Sequence, residues 1–546
     1  MRRLLPLALI ALIALTLLPG IASVDALDER EARDLLTAYE STQGRQWLSP
    51  IYGHEVYFEK PLAGFAPEVL ARRAVRRFFP SGGEFRDVAV SRLVRAALAA
   101  ALAFAVAAIG TRVFGARSGW LAGCALASMF GLPLAARADG VQVLVTLLAW
   151  LGIGAWLDVL TGRARAGGLS MALGWFALGG VAVAGGPVPA LWPVAGVAIY
   201  FALARHHAGW KVLDPASGAL IVAGIALPWY GLMVAIHGVS FLPHVPWFPY
   251  ASGTRGSWLA GLPLALSFAV VTSFPWTPLF AAALADAALR LRRSVTRVVP
   301  TSALDPEHVE HVLLALALAA TLPIALYPGP PLTAALPVLP AVALLVGRFA
   351  DRVLDGATEP RALTQATRLL AAFGTTFALA GVALSLRLPD AAPSVRLVAA
   401  LLFLASWAPL LADLRGARRL ALALFALPAA LGAPVLFLRV LPPLEPWLNA
   451  RAVADTVERV SPPFAPLVVW EPPPPSLRQA LKRNFLTPSL VGPGAENAVA
   501  RDGFVYAVWR PSREGAALGE AEAFGGDPEV LVRTPVLVLA RFRPRP

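Results

Sequence analysis

Apolar residues in this chain fall in long unbroken runs rather than at the spacing of a one-sided helix or strand. A helix rising 1.5 Å per residue needs about 20 such residues to cross the hydrocarbon core of a bilayer. A hydropathy window of about 19 residues separates thirteen runs, at 4–23, 89–110, 118–136, 140–158, 169–185, 187–204, 216–237, 258–288, 311–327, 331–349, 369–386, 396–412 and 419–439. Two stretches break the pattern. Residues 24–88 carry charge and aromatics and predict a long loop after the first span. From residue 445 to 546 hydropathy drops; "PLVVWEP", "FVYAVWR" and "VLVRTPVLVLARF" read as strands and "SLRQALKRN" as a helix. The expected fold is an all-α polytopic membrane protein over 1–444 with thirteen transmembrane helices, followed by a small C-terminal exterior α/β domain over 445–546.

Charge orients this array. Alternate short connections hold Arg112 and Arg117, Arg163 and Arg165, Arg205 and Lys211, Arg290, Arg292, Arg293 and Arg297, Arg348 and Arg352, then Arg415, Arg418 and Arg419. The opposite connections, such as "AGGP" at 184–187 and "YPGPP" at 327–331, are free of basic residues. Positive connections stay in the cytoplasm, so the N-terminus is expected inside. Thirteen spans then bring the C-terminus and the 24–88 loop to the same exterior side. The net charge of +13 is accounted for by these connections and implies no nucleic-acid partner. A hydrophobic content of 57% and mean hydropathy of +0.64 exclude a soluble enzyme. The single cysteine, Cys124, sits in an apolar run and has no intrachain partner for a disulfide. The start, "MRRLLPLALIALIALTLL", has the layout of a signal peptide but is read as an uncleaved first helix that anchors the rest.

Candidate chemistry lies on the expected exterior side. Asp28 and Glu29 follow the first span directly; Asp139, beside Arg137, is wedged between the third and fourth. An ionisable residue at a membrane boundary is costly and points to function. Helix capping is the alternative for Asp28 and Asp139, and the two roles are compatible. Between them "YFEKPLAGF" contributes Tyr57, Glu59 and Lys60, in a chain with only three lysines. Carboxylates and a lysine on one face suit general-base catalysis beside a bound anion. The segment "APEVLARRAVRRFF" that follows has the composition of a basic amphipathic helix lying among lipid headgroups, or of a solvated helix between spans.

A first helix ending in "DE", a loop through "GRQWLSPIYGHEVYFEKPLAGF", an "R-x-D" before the fourth span, "LPWY" at 227–230 and "SFPW" at 273–276 follow in order. This series resembles the bacterial GT-C glycosyltransferases related to protein O-mannosyltransferases, most closely the lipid A aminoarabinose transferases, over about residues 1–345. The resemblance implies an enzyme of the bacterial inner (cytoplasmic) membrane that moves a sugar from a polyprenyl-phosphate donor to an exterior acceptor: lipid A, another glycolipid, a glycan or a protein. It makes Asp28 the catalytic carboxylate and Asp139 the second acid. Glu29, Tyr57, Glu59, Lys60, Arg137 and Arg255 become substrate-binding, with Lys60 near the donor phosphate. It also implies a possible divalent metal on Glu59 and His244; His54 is nearer in sequence but lacks family support.

Three departures stand out. Where relatives carry a lysine in a turn after the fifth span, this chain has Gly185 or Gly186. The run "YPGPPLTAALPVLP" lacks the lysine found before the tenth span, and the arginine expected after "DE" is displaced, with Arg30 and Arg33 as substitutes. These losses leave a second reading open, a GT-C scaffold that binds a lipid-linked glycan without transferring it. A transporter or flippase would instead place its ionisable groups near the midplane and show repeated halves. Neither feature is visible.

Overall fold

The computed structural model describes residues 4–43, 48–53, 55–78, 84–205, 207–239, 241, 258–294, 303–325, 331–358, 360–463, 465–470, 472–481, 485–486, 495–524 and 527–544. Within them, eight helices are long and apolar enough to cross a membrane, among them Val88–Phe114, Gly140–Leu160 and Leu332–Leu354. Two further pairs meet that test together but are bent, Ala116–Ala127 with Gly131–Ala138 by 55° and Gly261–Thr272 with Thr277–Ala288 by 116°. Leu5–Leu17, Leu169–Gly185 and Pro187–Leu203 are shorter apolar helices. Each of the thirteen apolar runs coincides with one of these, so the chain is a multi-pass helical membrane protein. The run 258–288, expected as one span, is instead a helix–turn–helix. The last apolar helix continues to Leu448, past the boundary expected at 444.

The breaks have physical causes. Pro275 cannot donate a helical hydrogen bond, and the freed groups are taken up across the bundle. Phe130 N donates to Phe274 O (2.9 Å) and Trp276 Nε1 to Ser128 Oγ (2.9 Å), which joins the two broken helices at their breaks. "SFPW" is thus a packing motif, and so is "LPWY". Trp229 Nε1 donates to Leu48 O (3.2 Å), and Tyr230 hydroxyl to Ala182 O (3.0 Å). Small residues bring helices close: a Cβ on Gly119 would lie 2.2 Å from Thr111 N on the neighbouring helix.

The loop after the first span folds into the helix Glu29–Gln43, a two-residue hairpin of β1 (Ile51–Tyr52) and β2 (Glu55–Val56), and the helix Leu62–Phe78. In the second helix Arg72 is buried and donates to Ser91 Oγ (2.9 Å), Arg73 donates to Ser41 O, and Arg76 stacks 4.8 Å over Tyr39. Three of the four arginines in this helix, read as facing either lipid headgroups or solvent, therefore hold the loop together. Leu70 and Phe78 remain exposed, with Arg77 beside them. Residues beyond Leu448 form a five-stranded sheet, β3 (Leu467–Val469), β4 (Phe485–Leu486), β5 (Val505–Trp509), β6 (Glu529–Arg533) and β7 (Val538–Phe542), ordered β4-β3-β5-β7-β6. Its parallel half pairs β3 with β4 and β5; β7 runs antiparallel to β5 and β6.

A buried charge network ties the loop to the bundle. Glu31 receives Arg92 in bidentate fashion (2.8 and 3.0 Å), and Arg95 pairs with Glu68 (2.8 and 3.1 Å) while reaching Arg137 O (2.6 Å). Arg92 also donates to Ile21 O, Val24 O and Asp25 O. Both arginine side chains have no exposed surface. Removing one partner of such a pair strands a buried charge. Arg92→Ala is expected to lower stability by about 3–5 kcal/mol, read as a large fall in the thermal midpoint of the purified protein in detergent.

Candidate active site

On the side of the bundle that carries this loop and the sheet, a cavity of about 570 Å³ opens. One wall is polar: Asp28, Arg30, Arg33 and Asp34 from the first loop helix and its cap, Tyr57, Glu59 and Lys60 from "YFEKP", and Asp139. The facing wall is apolar and includes Phe130, Leu332, Leu436, Phe437, Leu441 and Leu448. Leu436–Val440 is a π-helical turn, an irregularity that often accompanies a functional site.

The sequence places these carboxylates at helix starts for local reasons. Asp28 Oδ1 accepts from Arg30 N (3.0 Å) and Glu31 N (2.8 Å), and Glu31 reaches back to Leu27 N (2.7 Å), close to a capping box. Asp139 caps Gly140–Leu160 through Gln142 N (3.1 Å). Capping and cavity lining therefore coexist at both residues. Asp28 is exposed to the cavity, yet protein surrounds it on most sides. The resulting loss of hydration pushes its carboxyl above the ordinary range, against the pull of the Glu31 N–H.

Lys60 is not free. It is buried, with Nζ 2.7 and 3.0 Å from the two carboxylate oxygens of Asp34 and 3.6 Å from Asp139. Burial works against its charge, but Asp139 and Asp34 outweigh that and hold the ammonium above its usual pKa. Burial pushes the Asp34 carboxyl up; Lys60 opposes this and Asp139 reinforces it. Asp34 is the main residue that sequence reasoning missed. Glu31, Asp34, Leu35 and Ala38 are all buried on the face of one helix, and two acids on an apolar stripe were the available signal.

Glu59 is half-exposed and accepts from Arg33 (2.9 Å) and the Tyr57 hydroxyl (3.0 Å). Two residues expected at the substrate are engaged elsewhere. Arg137 does not line the cavity; its guanidinium donates to Thr16 O, Leu17 O, Pro19 O and Pro133 O and stacks 3.5 Å from the Phe437 ring. It neutralises the negative C-terminal end of the first helix. Glu29 turns away from the cavity to Ser476, accepting from its backbone N (2.8 Å) and hydroxyl (2.5 Å). His54, His244 and Arg255 lie outside the described residues. Among the described residues no three His, Cys, Asp or Glu side chains group to hold a metal ion, and Glu59 is already engaged by Arg33 and Tyr57.

The turn with Gly185 and Gly186 packs against "YFEKPLAG" and the fourth span: a Cβ on Gly64 would lie 2.5 Å from Ala184 O, and one on Gly185 2.5 Å from a Val145 methyl. Among the described residues, the cavity's cations come from Arg30, Arg33 and Lys60 alone.

Solved structures share this architecture. ArnT from Cupriavidus metallidurans bound to undecaprenyl phosphate superposes with a TM-score of 0.75 at 18% identity, covering 98% of this chain and 96% of that one. Its apo form gives 0.74 at 18% identity with the same coverage. The Archaeoglobus fulgidus oligosaccharyltransferase in its apo form gives 0.51 at 14% identity, over 95% of this chain and 70% of that one. No family model and no curated protein matches the sequence. The fold is that of the GT-C membrane glycosyltransferases, with the C-terminal sheet included.

The segment bearing Asp28 is clamped from the sheet side. Asn449 Nδ2 donates to Ala26 O (2.7 Å), Gln479 Nε2 to Asp25 Oδ1 (3.2 Å), and Asp25 N to Glu445 (2.7 Å), with Arg451 3.8 Å from Asp25. Burial pushes the Asp25 carboxyl up to about 6; Arg451 resists and Glu445 adds to it. A carboxyl raised on folding contributes stability that is full below its unfolded pKa and is lost as pH rises through the folded value. The thermal midpoint of the wild type is therefore expected to fall relative to Asp25→Asn between pH 4 and pH 7, by the equivalent of at most about 3 kcal/mol.

Proposed function

We propose that this chain is an inverting glycosyltransferase that moves a sugar from a polyprenyl-phosphate donor to an acceptor hydroxyl on the exterior side of a bacterial inner membrane. The observation that carries the reading is the two-sided cavity, with carboxylates and cations on one wall and a mostly apolar lining on the other, from Phe130, Leu332 and the last spans. A prenyl chain suits the apolar wall, and the phosphate suits Lys60, Arg30 and Arg33. The likeness to a fold solved with undecaprenyl phosphate supports a lipid-linked donor.

The chemistry asks little of an acid. The polyprenyl phosphate departs as a stabilised anion, so the bond from the anomeric carbon to the phosphate oxygen breaks without protonation. Asp28 or Asp139 takes the proton of the acceptor hydroxyl as its oxygen bonds to that carbon from the opposite face, which inverts the configuration. A positioned base contributes about 10²–10⁴-fold. The acceptor reaches the carboxylates from the side of the sheet; lipid A, another glycolipid, a glycan and a protein all present such a hydroxyl. The scarcity of cations, all on one wall, favours one other reading, a scaffold that binds the lipid-linked sugar without transferring it.

Asparagine caps a helix about as well as aspartate, so Asp28→Asn and Asp139→Asn separate the cap from the charge. In liposomes supplied with a polyprenyl-phosphate sugar, each is expected to cut transfer by about 10²-fold or more while the protein inserts and purifies normally. Full activity in both would overturn the assignment. Saturable binding of polyprenyl phosphate with no product in the wild type would select the scaffold. Mass spectrometry of envelope lipids, glycans and proteins with and without the chain identifies the acceptor.

A further inference from the structure

Lys60 sits between two carboxylates, and the three groups are almost wholly buried: 6% exposed for Lys60, 2% for Asp34 and 5% for Asp139. Lys60 thus faces two buried carboxylates at once. Arg95, whose charge also acts on Asp34, is committed to Glu68 and Glu31. Asp34 holds Lys60 the more tightly, through both oxygens, while Asp139 stands almost an ångström further off. Yet Lys60 and Asp34 both line the cavity. This cation is held at the edge of an anion site by a competitor for the anion's place.

We propose that Asp34 is a positioning residue that holds Lys60 in reserve and surrenders it to the donor's phosphate, taking up one proton from cavity water as it does so. The inference rests on the donor-binding reading above and goes beyond it, because it assigns Asp34 a part in the binding cycle. A buried carboxylate that loses its counter-ion is strongly disfavoured in its charged form, and protonation relieves this. The groups facing Asp34 all bear on the exchange: Lys60 from "YFEKP", Asp139 from the junction of two spans, Arg95 from the second span, and Tyr57, whose hydroxyl is directed to Glu59. As Lys60 moves to the phosphate, Asp139 repels the Asp34 charge and Arg95 remains occupied, so proton uptake falls to Asp34. When the product phosphate leaves, the proton is released and Lys60 returns.

A phosphate diester tests this cleanly, because it has no proton to titrate near neutral pH. Binding of a polyprenyl methyl phosphate to the full-length protein is measured by calorimetry at pH 7 in buffers of different ionisation enthalpy. The wild type is expected to take up close to one proton per bound diester. Asp34→Asn, which cannot compete for the ammonium, is expected to bind about tenfold more tightly and to take up none. In turnover it should lower KM and kcat together, since product release slows. Loss of a merely structural contact would weaken binding instead. Unchanged or weaker binding by folded Asp34→Asn, or uptake that persists in it, overturns the proposal. If that variant does not fold, zero uptake by the wild type overturns it, and tighter binding by Asp34→Ser supports it. Failure of the wild type to bind the diester at all removes the donor-site reading itself, and this inference with it.

Discussion

The buried pairing of Glu31 with Arg92, extended through Arg95 to Glu68, is the interaction on which the candidate site depends. It fixes the start of the first loop helix against the second span, and the cap at Asp28 follows from where Glu31 is held. Arg92 satisfies the carbonyls of Ile21, Val24 and Asp25 with the same guanidinium. One side chain thus shapes the whole turn between the membrane and the cavity. Arginine suits this better than lysine because its planar fork reaches several acceptors at once.

Around that anchor the molecule separates binding from positioning. The polar wall comes from loop segments and helix caps; the apolar wall comes from Phe130, Leu332, the last spans and a π-helical turn. From the C-terminal segment, Ser476 and Gln479 on a short helix and Asn449 at the end of the last apolar helix hold residues 25–29. A small domain placed this way sets the position of the segment that bears Asp28.

Much of this was legible in the sequence. All thirteen apolar runs correspond to helices or helix pairs because hydrocarbon demands long apolar segments with internally satisfied backbones. Four of the five strands in the C-terminal segment were visible in β-branched and aromatic runs, while the two-residue β4 escaped, and Asp28, Tyr57, Glu59, Lys60 and Asp139 do line one cavity. What escaped were partnerships. Lys60 was expected to face a phosphate, and its partner Asp34 lies 26 residues away. Arg137 and Glu29 were expected at a substrate and are held by backbone carbonyls and by Ser476. The sharp bend within 258–288 also escaped, since hydropathy measures how apolar a run is and not its direction.

Hydropathy determined the membrane class and the order of spans, because these are one-dimensional consequences of solvent transfer. Tertiary structure alone decided which acid holds Lys60, which arginines serve packing, and how the "YFEKPLAGF" segment meets Asp139. Those choices depend on which buried charges lie within about 3 Å of one another, where the low dielectric makes each pairing strong and each unpaired group costly. No spacing along the chain encodes that distance.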